Sequence, residues 1–134
     1  MKLLFAKGDT KHFSRKVTEQ DIAMFDAGIV HPVLSTFSLG RDAEWVCRLF
    51  VIDMKEPDEE GIGTSLEIYH KSPAFLNEIV NYTGTFEEHN KNNVLCSFKV
   101  HVGARLIAEG TTGQKILKKE KINQIFDSLS GEGS

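Results

Sequence analysis

Apolar residues between positions 38 and 54 recur with the period of an α-helix. One stripe is spaced by four, three and four residues and consists of Leu39, Ala43, Val46 and Phe50. Trp45, Leu49 and Ile52 extend the apolar coverage beyond that stripe. The pattern therefore predicts a long, largely enclosed helix over residues 38–54, ended by a polar loop at residues 57–61.

Shorter elements are predicted before this helix. Residues 11–17 are expected to form a short strand. Thr18 is expected to cap a short helix that runs through Asp21 to Phe25, because residues 18–21 have the form of a capping box. Residues 27–34 contain Gly28 and Pro32 and are predicted to form a loop.

From residue 61 onward the apolar period changes to two. Leu66, Ile68 and His70 share one face of a strand that ends before Pro73. Three further strands are predicted over residues 78–88, 94–102 and 105–117, with turns at residues 89–93 and 103–104. A terminal helix is expected to begin within residues 115–121.

These elements predict an α+β fold, with an antiparallel β-sheet wrapped around a long central α-helix. The helix is the only predicted element large enough to cover the apolar face of the sheet. Residues 1–127 are expected to form a single domain, and residues 128–134, rich in Ser and Gly, a flexible C-terminal tail. The sheet would keep an exposed edge strand, which a dimer could cover by continuing the sheet.

Composition narrows the class of protein. The 134 residues are 40% hydrophobic and 26% charged, with a formal net charge of -3, as in ordinary soluble globular proteins. The basic residues are scattered, so no nucleic-acid partner is expected. Cys47 and Cys96 show no CxxC spacing, which favours a reducing, cytoplasmic compartment and predicts neither a disulfide framework nor a metal site. No segment has the length of a signal peptide or a membrane span.

Three residues are the best candidates for chemistry. Thr36, Glu44 and His70 offer a hydroxyl, a carboxylate and an imidazole that could meet around one substrate atom. Each also has a structural interpretation: Thr36 could cap the helix, Glu44 could lie on a solvent-facing side of it, and His70 could be an ordinary surface residue. The chain has no GxSxG, no phosphate-binding glycine loop and no His or Cys pair at metal-ligand spacing.

The spacing of these residues resembles a known family. The segments Ser35-Thr36, Glu44-Trp45, Gly61-Ile62-Gly63-Thr64 and His70 are similar to the fluoroacetyl-CoA thioesterase group of the hotdog-fold superfamily. The segments at residues 17–21 and 109–111 resemble that group too, so the likeness covers nearly the whole domain.

The resemblance implies a mechanism as well as a fold. A Thr, a Glu and a His form the catalytic set of that family, which corresponds to Thr36, Glu44 and His70. Glu44 would then act as nucleophile or as the base that activates water, His70 would transfer protons, and Thr36 would orient the carboxylate. Gly63 and Thr64 would bind substrate, with the Gly63 amide stabilising the developing oxyanion.

Three departures from the family pattern concern the substrate. No Pro-Gly turn follows His70, and the family's aromatic gate falls on Ala27 and Val30. The family's His-Glu-Arg after the late Gly-Thr is Thr112-Gly113-Gln114 in this chain. Fluoroacetyl specificity is therefore not expected.

We therefore predict a hotdog acyl-CoA or acyl-carrier thioesterase that uses no metal or organic cofactor. CoA enters only as part of the substrate, and the protein is expected to be a homodimer or a dimer of dimers. The alternatives are a hotdog enoyl hydratase or dehydratase, and a non-catalytic module that binds an acyl or CoA group.

The catalytic set raises one geometric problem. On one continuous helix, Thr36 and Glu44 would lie about 12 Å apart along the axis. Thr36 is therefore expected either on a loop that folds back or next to the Glu of another subunit, which predicts a site at a dimer interface.

Overall fold

The computed structural model describes residues 1–25 and 28–132, with the side chains of residues 24–31 and 132 left undescribed. In chain order the strands and helices are β1 (Thr10–Lys16), a 3-10 turn (Glu19–Asp21), β2 (Ile22–Phe25), β3 (Gly28–Leu34), α1 (Thr36–Met54), β4 (Glu59–His70), β5 (Ile79–Asn90), β6 (Asn93–Val102), β7 (Arg105–Lys118) and α2 (Lys119–Glu132). These elements confirm the predicted α+β class.

Five strands form one antiparallel sheet in the order β1-β5-β6-β7-β4. Tight turns join β5 to β6 and β6 to β7, with a positive φ at Lys91 (56°) and at Gly103 (55°). Both turns fall within the segments predicted from the sequence. Strands β1 and β4 form the two edges, so β4, which follows α1 directly, has one side without a partner strand in the described chain.

The core lies between α1 and the sheet. The predicted stripe of Leu39, Ala43, Val46 and Phe50 is buried, with at most 1% of each side chain exposed. The sheet meets it with β-strand residues such as Tyr82, Phe86, Phe98, Val100 and Ile107. The expectation of a largely enclosed helix is wrong, because Trp45 and Ile52 are 41% and 40% exposed. A single sheet covers only one side of α1.

The segment before α1 differs from the prediction. The capping box forms, since the Thr18 amide and hydroxyl donate to Asp21 Oδ2 at 2.9 and 2.8 Å, but the helix stops after one 3-10 turn. Residues 22–25 are strand β2 instead of helix, and the predicted loop is largely strand β3. The two strands pair with each other, and a bridge between Val33 and Phe75 connects β3 to the segment after β4. The bridge from Val33 to the distant Phe75 is a tertiary contact, and such contacts override the local turn signals in this segment.

The C-terminal segment is helical further than predicted. Helix α2 continues to Glu132, so residues 128–132 are helical where a tail without secondary structure was expected, while residues 133–134 lie outside the described residues. The Lys119 amide donates to the Asp58 carbonyl at 2.8 Å, which attaches the start of α2 to the turn before β4. No helix in residues 1–25 or 28–132 is long and apolar enough to cross a membrane. The cytoplasmic location stays a prediction.

Candidate active site

The start of α1 and the end of β4 bring two of the candidate residues together. Ser35 is the helix cap, and its Oγ accepts a hydrogen bond from the Ser38 amide at 3.1 Å. Thr36 is therefore released from capping, and its hydroxyl lies 3.1 Å from His70 Nε2. His70 is the last residue of β4 and is held in register opposite Ala108 of β7. Thr36 and His70 form a hydrogen-bonded pair at the protein surface.

Glu44 does not join this pair within the chain. Thr36 is the first residue of α1, so the expected loop that folds back is not present, and about 12 Å of helix separates the two residues. Glu44 is exposed, as in the solvent-facing position that the sequence left open for it. It makes no ion pair or hydrogen bond with a described residue, so its carboxylate is available for chemistry.

A groove between α1 and β4 connects the two places. Its lining residues are Thr36, Phe37, Gly40, Arg41, Glu44, Leu66 and Ile68. At Gly40 a Cβ would lie 3.2 Å from Ile68 Cδ1 and 3.3 Å from Leu66 Cδ2, so α1 runs close against β4 there. Phe37, at the Thr36 end, is 80% exposed. An apolar strip thus lies between the two groups of candidate residues.

A small cavity of about 50 Å³ lies beside Glu44 at the other end of the groove. It is lined by Glu44, Arg48, Gly63, Ser65, Thr112, Gly113 and Gln114. A β-bulge forms its floor: Gly63 pairs with Gln114 and Ser65 pairs with Gly113, which leaves Thr64 without a partner in β7. Bulges of this kind take backbone groups out of the ladder next to many active sites. The space around Gly63 is open, since an added Cβ would meet nothing within 4 Å.

The structure therefore groups four of the five predicted site residues in two places. Gly63 joins Glu44 at the cavity, and Thr36 joins His70 about seven residues further along β4. Thr64 faces a different surface depression, shared with Glu88 and Asn90, and does not line the cavity with Glu44. The substrate-binding role predicted for Thr64 has no support from this placement.

Ion pairs fix α1 on both sides of Glu44. On the β4 side, Arg48 donates to the Gly61 carbonyl at 3.1 Å and to Glu60 Oε1 at 2.9 Å. On the β1 side, the buried Asp42 accepts from Arg15 Nε at 2.9 Å and from Arg41 Nε at 3.1 Å. These contacts hold the neighbouring charges in fixed pairs and leave Glu44 unpaired between them.

One of these pairs extends to the corner before β2. Arg41 also donates to Asp21 at 3.3 Å. Burial alone would raise the pKa of Asp21, but hydrogen bonds from Thr18 and Arg41 outweigh it and hold that pKa below its usual value of 3.8. The corner and the helix are thereby joined through a charged carboxylate.

The cysteines lie inside the core, away from the groove. Cys47 and Cys96 are free thiols, both fully buried. The Cys47 thiol donates to the Ser97 carbonyl at 3.8 Å, and the neighbouring Cys47 together with burial raises the pKa of the Cys96 thiol above its ordinary value. Among residues 1–25 and 28–132 no cluster of three or more His, Cys, Asp or Glu side chains is suited to a metal ion.

Thr112 and Gln114 line the cavity but were not predicted to do so, and the side chains at the predicted aromatic-gate positions fall outside the described residues. Sequence reasoning noted Thr112 and Gln114 only as departures from the family pattern, because nothing in a strand with alternating polarity marks which polar residue faces a cavity. The family's aromatic gate was assigned to Ala27 and Val30. Ala27 and the side chain of Val30 lie outside the described residues.

Comparison with known proteins identifies the family of the chain. The family of fluoroacetyl-CoA-specific thioesterases, FlK, matches residues 17–120, which is more than half of the chain. No curated protein sequence matches.

Solved structures share the fold along nearly the whole chain. A Thermus thermophilus hypothetical protein described as a thioesterase superfamily member is 28% identical, with a TM-score of 0.92 over 97% of this chain and 96% of that one. A hot-dog-like protein from Thermanaerovibrio acidaminovorans is 17% identical, with a TM-score of 0.86 over 93% of each chain. The fluoroacetyl-CoA thioesterase FlK itself is 18% identical, with a TM-score of 0.83 over 92% of this chain and 96% of that one.

The last two likenesses establish the hotdog fold, and the family match establishes the type of reaction. Of the three functions left open by the sequence, the family match supports thioester hydrolysis. The chain belongs to the fluoroacetyl-CoA-specific thioesterase family and is a thioester hydrolase with a hotdog fold.

Proposed function

We propose that this protein hydrolyses a CoA or carrier-protein thioester at a site completed by two subunits. Glu44 and Gly63 would come from one protomer, and Thr36 and His70 from the other. The observation that carries the proposal is the Thr36–His70 hydrogen bond at one end of the groove, with Glu44 unpaired at the other end. Neither group has the full set of catalytic side chains.

Twofold symmetry would bring the two ends together. A dimer that continues the sheet through the free edge of β4 pairs two antiparallel copies of that strand. The bulged Thr64 takes no ladder position, so Gly63 and His70 each lie three ladder positions from Glu67, and an axis at Glu67 sets Gly63 opposite the partner subunit's His70. The midpoint of Thr36 and Glu44 is Gly40, where α1 runs close to β4. One axis therefore suits both elements.

The surface along this edge also favours a partner. Phe37, which lines the groove between α1 and β4, is 80% exposed, and Tyr69 on the edge strand β4 is 56% exposed. Exposed apolar side chains beside an unpaired strand edge are typical of an interface. Assembly of two such dimers into a tetramer stays a prediction.

The side chains of this composite site supply the chemistry of thioester hydrolysis. Glu44 would attack the thioester carbon or take a proton from the attacking water. The Gly63 amide, open to solvent, would donate to the carbonyl oxygen as negative charge develops there. When the carbon–sulfur bond breaks, His70 would give a proton to the departing CoA thiolate. Thr36 would keep the imidazole in position, and no metal or organic cofactor takes part.

Mixing two inactive variants tests the composite site. Glu44→Gln and His70→Ala should each abolish hydrolysis as homodimers. After the two are unfolded and refolded together, half of the dimers are mixed, and each mixed dimer has one site with both native residues. We expect roughly a quarter of the wild-type rate to return, measured as thiol release from a panel of acyl-CoA esters.

Two outcomes would count against the proposal. If the mixture stays inactive while each variant and the mixed dimer are folded, the site does not combine residues of two subunits. If Glu44→Gln alone keeps full turnover, Glu44 has no part in catalysis. A mixture of wild type with Glu44→Gln, treated in the same way, controls for losses during refolding.

A further inference from the structure

Two buried polar atoms in the cavity beside Glu44 have no hydrogen-bond partner. They are Thr112 Oγ1 and Gln114 Nε2, on side chains that are 1% and 6% exposed. Burying a polar group without a partner is costly, so nearly all such groups in native proteins are satisfied by protein, water or ligand. The cavity therefore has a built-in requirement for a polar occupant.

The backbone explains why the two side chains point to the same place. Thr112 and Gln114 are two residues apart on β7 and share its helix-facing side. Gln114 pairs with Gly63 across the ladder, so its amide lies next to the bulge and the proposed oxyanion donor. Thr112 lies next to the Cys47 thiol, a weak hydrogen-bonding group whose proton goes to the Ser97 carbonyl at 3.8 Å, so the Thr112 hydroxyl has no strong partner.

The chemistry of the cavity limits what it can receive. Gln114 Nε2 is a donor, so the occupant must carry an acceptor, and the Thr112 hydroxyl can both donate and accept. The volume of about 50 Å³ admits only a few atoms. A carboxylate would be repelled by Glu44, because Arg48 is already bonded to Glu60 and Gly61. A hydroxyl satisfies all three conditions.

We propose that this cavity holds the acyl group of the substrate, and that Thr112 and Gln114 select short 2-hydroxyacyl thioesters. This inference rests on the proposed function, because it takes Glu44 and Gly63 as the residues beside the reacting carbonyl. The substrate hydroxyl accepts from Gln114 Nε2 and donates to the Thr112 oxygen. An acyl group with a methyl in place of the hydroxyl would bury both protein groups unsatisfied.

A pair of substrates that differ only in this group tests the inference. Glycolyl-CoA carries the hydroxyl, and propionyl-CoA has a methyl at the same position. The two thioesters differ in intrinsic reactivity, so the readout compares their kcat/KM ratio, glycolyl-CoA over propionyl-CoA, between two proteins. The ratio in wild type is divided by the ratio in Gln114→Met, a variant that keeps the length of the side chain and removes the donor. We expect this quotient to be about ten or more.

Thr112 provides an independent pair of variants. Thr112→Val should lower the preference for glycolyl-CoA, while Thr112→Ser keeps the hydroxyl and should keep the preference. Melting temperatures of all variants show whether the fold is intact, and the Thr112 pair decides the question if Gln114→Met does not fold.

The possible failures can be told apart. If glycolyl-CoA and propionyl-CoA are hydrolysed and the variants change both to the same extent, water and not the acyl group occupies the cavity, and this inference is overturned alone. If wild type hydrolyses other acyl-CoA or acyl-carrier thioesters but neither of these two, this inference is again overturned alone. If wild type hydrolyses no acyl-CoA or acyl-carrier thioester, the proposed function is overturned along with it.

Discussion

Two adjacent hydroxyls at the start of α1 have different partners, and substitutions should separate their roles. The Ser35 side chain accepts from the Ser38 amide, whereas the Thr36 hydroxyl bonds to His70. Thr36→Val removes the hydroxyl and keeps the shape of the side chain. We expect this change to lower kcat/KM and to leave stability nearly unchanged, while Ser35→Ala should do the reverse.

The magnitudes follow from the two contacts. A hydrogen bond of 3.1 Å between Thr36 and the imidazole is worth about 1 to 2 kcal/mol, which corresponds to a roughly 5- to 30-fold loss of kcat/KM if the bond orients His70 in the transition state. Thr36 is exposed, so its stability change should stay within about 0.5 kcal/mol. Loss of the Ser35 cap should cost about 1 kcal/mol of unfolding free energy.

Thiol release with an accepted acyl-CoA gives kcat/KM, and denaturant unfolding gives the stability. Thr36→Ser retains the hydroxyl and serves as the matched control, with most of the activity preserved. The reasoning is refuted if Thr36→Val keeps wild-type kcat/KM. It is equally refuted if Thr36→Val destabilises the protein as much as Ser35→Ala does, because Thr36 would then be a structural residue.

The remaining predictions concern stability. Gly110→Ala should destabilise the protein by about 1 to 3 kcal/mol, because the added Cβ would overlap the Glu67 carbonyl oxygen and lie 2.7 Å from Phe98 Cζ. The control is Gly131→Ala in α2, whose Cβ would meet nothing within 4 Å. Equal unfolding midpoints for the two variants would contradict the argument. The pKa of Asp21 is lowered in the folded state, so its contribution to stability is present above about pH 3.8 and is lost as the pH falls through the lowered pKa. Asp21→Asn should therefore be less stable than wild type near pH 7 and lose less stability on acidification. Denaturant unfolding at several pH values measures this, and equal changes of the unfolding free energy with pH in the two proteins would contradict it.

The long helix and the last three strands could be predicted because their signals are local. The stripe from Leu39 to Phe50 identifies α1 to within two residues of its ends, and alternation with short turns identifies β5, β6 and β7. Strands β2 and β3 could not be predicted. They pair with each other, and β3 also bridges from Val33 to Phe75, which is far away in sequence, while Gly28 and Pro32 locally favour a loop.

The candidate site was predictable in its residue types and not in its geometry. The sequence identifies Thr36, Glu44 and His70 by spacing, and Gly63 by its place in the glycine-containing segment. It does not tell which of Ser35 and Thr36 caps the helix, since both are good capping residues. That assignment depends on where β4 ends, and β4 brings His70 to the one hydroxyl that capping leaves free.

In the dimer proposed above, the two ends of the site would assign different tasks to the two subunits. Thr112 and Gln114 lie with Glu44 and Gly63, so the protomer that supplies the carboxylate also contacts the acyl group. The protomer that supplies His70 and Thr36 contributes the proton donor and its support. Acyl selectivity can then change through β7 while the Thr36–His70 pair stays intact. Such a separation would fit the resemblance noted in the sequence, which implies the family's Thr, Glu and His at residues 36, 44 and 70 and a departure from its pattern at residues 112–114.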